Sequence, residues 1–163
     1  MAAPEIELLL AALDEAFERR SWHGPNLRAA LRQVDVECAA WRPAPGRHSI
    51  WELAVHCAYW KYAVWRRVTG AARGSFALDG SNWFARPPAG GASVAAWKSD
   101  QALLVAEHRR LCAAVATLEP ADLGRRATGS PFALGRVIQG AAAHDLYHAG
   151  QVQLLKRLRV AEA

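Results

Sequence analysis

The chain has little cysteine. Its three cysteines, Cys38, Cys57 and Cys112, are far apart and include no CxxC pair. An odd, scattered set of this kind excludes a disulfide framework and a thiolate zinc knuckle. It fits small buried hydrophobes. Apolar runs approaching the roughly 18–20 residues needed to cross a bilayer are also missing. The N-terminal "MAAPEIELLLAALDEAFERR" has acids on both sides of its apolar run and no basic start, unlike a secretory leader. A soluble, cytoplasmic protein with no membrane partner is expected. Strand-like alternation and internal repeats are absent too. So are any DNA-reading motif and any stripe of Lys/Arg interleaved with aromatics. The net charge of +5 is therefore read as a solvated basic surface, with no nucleic-acid partner. Arg66-Arg67 and Lys156-Arg157 with Arg159 fall where helices should end, and there they complement the helix dipole.

What is present is alanine, leucine and long stretches without Gly or Pro, within 163 residues that are 52% hydrophobic. This length suits a single domain, residues 1–163, with a core of its own. The expected class is all-α. A first helical stretch covers about 4–34, with Pro4, Glu5 and Glu7 at its start. Gly24-Pro25 should kink or divide it. "AAWRPAPGR" is a loop. Ser49 and Glu52 then form a capping-box pattern at the start of a second helix, which runs to about Val68 before Gly70. Residues 71–92 are irregular and rich in glycine, with a Pro-Pro pair. Loops of that length inside compact domains are often functional, and this one is also long enough to be a crossover. Ser93 can cap a third helix ending near Leu118. After the connector "EPADLGRRATG", Ser130-Pro131 should open a fourth, reaching about Leu158. Together these make a four-helix bundle with one long connection.

The chemistry lies in the histidines. In "AAAHDLYHAGQVQLLKR", His144 and His148 are four apart. On a helix that places them about 40° apart, with Cβ atoms roughly 6 Å apart, so two imidazoles can converge on one ion. Their face continues through Val137, Gly140 and Ala141 on one side and Gln151, Val152 and Leu155 on the other. It is mostly apolar, so both point inward. Two buried imidazoles need either a metal or hydrogen-bonding partners, and the pair alone leaves both readings open. His56, on a face with Leu53, Trp60 and Ala63, is the third inward candidate, since a catalytic zinc usually takes three protein ligands. Glu52, one turn earlier, is a carboxylate alternative, but its cap role explains it more simply. His48 is expected to be exposed. His108, among the charges of "AEHRRL", is expected at the surface, and His23 at the Gly24-Pro25 break.

With these three histidines in place, three passages resemble one family: "SWHGPNLRAAL", "HSIWELAVHCAYW" and "HDLYHAGQVQLLKR". They are similar, in order, to segments of the DinB-like (DinB/YfiT) superfamily. The resemblance implies a bundle in up-down-down-up order, with the long connection between its second and third helices. It implies a divalent-metal site on His56, His144 and His148, holding zinc or nickel with water. It also implies chemistry on a small-molecule substrate, because characterised members include transferases dependent on low-molecular-weight thiols and a mycothiol-dependent isomerase. Many members are homodimers. The family name records induction by DNA damage, not DNA binding.

Three neutral imidazoles leave a metal dipositive with an open position, which generates hydroxide from water or thiolate from a thiol near neutral pH. The expected function is thus a metal-dependent transferase or hydrolase. The alternative is a non-catalytic bundle with a structural metal, or one that binds a ligand or partner. Around the triad, Tyr59 is a candidate proton donor or substrate-orienting group as well as a packing residue. Gln151 is within reach of His148. Asp145, turned off the face of His144, reads as a surface residue or a helix-to-helix partner. Cys57 lies about 100° round from His56 and is not expected to be a ligand. Trp83 and Phe84 are candidates for a lid or for packing.

Overall fold

A computed structural model describes residues 3–162. Among the described residues there are six α-helices: α1 Pro4–Phe17, α2 Leu27–Leu31, α3 Val36–Ala40, α4 Ile50–Thr69, α5 Val94–Val115 and α6 Leu134–Glu162. A 3-10 turn at Pro120–Gly124 separates the last two. The four long helices, α1, α4, α5 and α6, form the bundle. Among the described residues, none is long and apolar enough to cross a membrane.

The first stretch divides rather than kinks. α1 stops at Phe17, Gly24 takes a positive φ of 104°, and α2 restarts under an Asn26 cap that accepts from the Ala29 N–H. Lys156 of α6 donates to the carbonyls of Ala30 and Arg32 at the end of α2. α3 is an extra turn of helix capped by Asp35, and it runs into Ala39 and Ala40, where the sequence pattern predicts loop. The expected start of the last helix also moves. Ser130 caps nothing; its hydroxyl accepts from the Phe132 N–H inside a tight turn. That turn closes on an isolated bridge between Arg126 and Ala133, so α6 begins at Leu134 and then runs past Leu158 to Glu162.

Directions follow from which residues meet. The Trp51 indole N–H donates to Asp100 (2.6 Å) near the starts of α4 and α5, and Lys61 meets His108 halfway along, so these two helices run parallel. The first half of α4, with Leu53 and Ala58, packs with Ala149, Val152 and Leu155 of α6. The second half, with Val64 and Val68, packs with Leu134 and Ile138. α6 is therefore antiparallel to α4. So is α1, whose Ile6 and Leu13 join the Val68 end while Phe17 reaches the other. The order is up-down-down-up, as the family resemblance implied.

A parallel α4–α5 pair requires a long return, which residues 71–93 supply. The return is pinned along α4. The Tyr62 hydroxyl accepts from the N–H groups of Gly74 and Ser75, and Phe76 and Phe84 pack on Tyr59. At the start of α4 the capping box is complete: Ser49 Oγ accepts from the Glu52 N–H, and Glu52 accepts from the Ser49 N–H. Ser49→Ala should cost about 1 kcal/mol of stability. Chemical denaturation should show a lower midpoint with an unchanged slope, since the exposed area on unfolding is the same.

Candidate metal centre

His56 projects from the middle of α4, and His144 and His148 from successive turns of α6. The antiparallel packing brings them together. Nε2 of His144 lies 3.1 Å from Nε2 of His56 and 3.1 Å from Nε2 of His148. Nitrogens of a tetrahedral zinc site, with Zn–N near 2.0–2.1 Å, are roughly 3.3 Å apart. Apart from part of His144, the rings are buried: His56 is 5% exposed and His148 4%.

The tautomers are set from outside the triad. Nδ1–H of His56 donates to the Asn82 carbonyl at 2.8 Å, and Nδ1–H of His148 donates to Oε1 of Gln151 at 2.6 Å. Both rings therefore present bare Nε2 lone pairs to His144. A neutral His144 has at most one proton on Nε2 and can serve only one of them. A cation accepts from all three. Burial, reinforced by the neighbouring rings, keeps the set neutral: His56 is held at about 4 and His144 at about 3, and His148 is also lowered. Neutral imidazoles with free, converging lone pairs are the donor set a divalent metal needs, so the residues fit the ion.

Asn82 was not legible as a site residue. It sits in the long connection with a positive φ of 63°, and its side chain accepts from the Trp60 indole N–H at 2.9 Å. The only cue was an Asn in a Gly-rich loop, a residue that tolerates left-handed backbone. Beside it, the Trp83 ring is sandwiched between His48 and His56, with centroids 3.6 and 3.9 Å away. Trp83 is thus a wall of the site, while Phe84 is buried in the core. His48 is exposed, as expected, and His23 lies in the break between α1 and α2, where it too is exposed. Tyr59 packs among Trp60, Phe76 and Phe84, where it anchors the connection. Glu52 keeps its cap role and pairs with Arg42 and His48. Cys57 is fully buried, and burial pushes its thiol well up.

The expectation for His108 is overturned. It is 2% exposed, because its place between Leu104 and Leu111 turns it inward while Arg109 points away. Nε2–H of His108 donates to Asp14 at 3.2 Å, and Lys61 donates to its Nδ1 at 3.3 Å. Lys61 also pairs with Asp145, each side chain 1% exposed, so the helix-partner reading of Asp145 is the correct one. Asp14, His108 and Cys112 also lie close enough for a metal. There, however, the lysine occupies the Nδ1 lone pair, so the proton sits on the nitrogen a metal would need. Cys112, pushed up to about 12 by burial and by Asp14, supplies no thiolate. A cleft of about 880 Å³ along α2 and α5 touches none of the triad.

A model of the DinB superfamily matches residues 19–152. The chain belongs to the DinB superfamily. No curated protein and no solved structure matches it significantly. The match spans the stretches that hold His56, His144 and His148, and superfamily members are metal-associated.

Two outcomes are expected from the buried polar residues. Lys61→Met strands the Asp145 carboxylate and should cost about 3–5 kcal/mol, whereas Lys61→Met with Asp145→Leu should recover most of that. Thermal denaturation of the three proteins measures both. Burial also depresses His108 to about 3, against 6.5 when free. The unfolded chain then binds an extra proton between these values, so the stabilisation is present above pH 6.5 and is lost as pH falls towards 3. In metal-free protein, His108→Gln should flatten the stability–pH slope in that range by about one proton, roughly 1.4 kcal/mol per pH unit.

Proposed function

We propose that this DinB-superfamily chain is a metal-dependent enzyme, a thiol-dependent transferase or a hydrolase acting on a small molecule. In this reading His56, His144 and His148 hold one divalent ion, zinc in the first place and nickel in the second. The observation behind it is the convergence of three Nε2 atoms, with the outer nitrogens of His56 and His148 already committed to Asn82 and Gln151. When bound, such an ion lowers the pKa of a coordinated water or thiol to near neutrality.

The chain's own residues do the rest. The Asn82 carbonyl and Gln151 orient the rings and keep Nε2 unprotonated. Trp83 covers the outer face of His56 and limits water there. Neither Cys57 nor Cys112 supplies the nucleophile, because burial holds both thiols protonated near neutral pH. That supports a water or a low-molecular-weight thiol cosubstrate.

Elemental analysis of tag-free protein should find close to one zinc-like ion per chain, and His144→Ala should abolish it. Gln151→Leu should fold normally and bind the ion about 10–100-fold more weakly, as expected when a metal-binding histidine loses its outer partner. Wild-type protein free of metal after zinc loading overturns the reading. A chelated protein that unfolds points instead to a structural ion. One that stays folded and regains thiol conjugation of a model aryl halide on zinc return supports the transferase.

A further inference from the structure

A second cleft, of about 480 Å³, reaches the triad at His148. That is the size of a small-molecule site. Its walls come from three segments: Ala44 and Arg47 before α4, Trp83 in the long connection, and Tyr147 and Leu154 on α6. Leu53 of α4 adds to an apolar lining. Tyr147 and Leu154 are 64% and 57% exposed, so the cleft presents apolar surface to water. Trp83 cannot readily fold in to cover it, since both its faces are stacked against histidines.

The polar members differ in what they have free. Gln151 is engaged by His148. His48 donates to Glu52, whose carboxylate also takes Arg42 and the Ser49 N–H. Arg47 is different. Its backbone is held, with its N–H donating to the Ala44 carbonyl and its own carbonyl accepting from Arg42. Among the described residues its guanidinium is in no ion pair and no hydrogen bond. Among the described residues no carboxylate lines the cleft. The site therefore combines a solvated apolar wall with one uncommitted permanent cation.

We propose that this cleft binds a small amphiphilic anion. Its apolar or aromatic body lies against Leu53, Trp83, Tyr147 and Leu154, its carboxylate pairs with Arg47, and its reactive part faces His148. The proposal deepens the metal-enzyme reading by naming its substrate class, but binding by the cleft does not require the ion.

The probes are 4-phenylbutyrate, 4-phenylbutanol and 4-phenylbutylamine, titrated calorimetrically into zinc-treated and chelator-treated protein. The carboxylate should bind about tenfold more tightly than the alcohol, the scale of one charge-assisted contact, with the amine weakest. Arg47→Gln should erase that preference, and Arg47→Lys should keep part of it. Leu154→Trp should weaken all three ligands by filling the cleft. Equal binding of the three probes overturns the proposal. So does a carboxylate preference that survives Arg47→Gln and disappears on chelation, which would place the carboxylate on the metal. If the protein takes up no zinc yet shows the Arg47-dependent preference, the cleft assignment stands and the metal reading falls.

Discussion

The contact on which the bundle's register depends is the buried ion pair between Lys61 on α4 and Asp145 on α6. The pair belongs to a polar layer that includes His108 of α5 and Asp14 of α1, so one residue from each long helix meets at the same level. On one side of this layer lies an apolar cluster containing Trp51, Ala58, Leu104 and Val152. On the other lies a cluster with Leu13, Val64, Leu111 and Ile138. Apolar contact is non-directional and by itself selects a register less sharply. A lysine and a carboxylate taken out of water select it more sharply, because a shifted register leaves each charge uncompensated. The Lys61 ammonium also rests 4.6 Å from the centre of the Phe17 ring, which adds α1 to the constraint.

That constraint acts directly on the candidate metal centre. Lys61 follows His56 by five residues, and Asp145 is next to His144. Holding one pair holds the other at close range. The layer and the triad use different nitrogens for different purposes. In the layer, lysine and aspartate consume both nitrogens of His108. In the triad, Asn82 and Gln151 occupy only the outer nitrogens of His56 and His148, and leave the inner ones free. The two histidine clusters thus differ in which lone pairs are left free, decided by which neighbours donate and which accept.

Much of this was visible along the chain. The i, i+4 spacing of His144 and His148, the apolar face around them, the Ser49–Glu52 cap and the length of residues 71–92 are local signals, and they led to the bundle and to the triad. Gln151 was within one turn of His148 and could be named. Lys61 could not be, because a lysine in "CAYWKYAVW" reads as a solvated residue until an acid from another helix is seen opposite it. His108 failed for a related reason: the adjacent arginines suggested surface, although Leu104 and Leu111 put it on the inward stripe. The Ser130-Pro131 pair carried a sound cap signal, yet the Arg126–Ala133 turn claimed those residues first.

The sequence by itself determined the four long helices to within their ends, the long crossover and the spacing of the three histidines, because periodicity, caps and breakers are properties of neighbouring residues. Tertiary structure alone decided which lone pairs are free. The Asn82 carbonyl comes from a loop 26 residues beyond His56, and its aim depends on a left-handed backbone turn and on the Trp60 indole. The same holds for the cleft beside His148, whose walls come from three separate segments. Hydrogen-bond direction and cavity shape are relations between distant parts of the chain, so they exist only once those parts have packed.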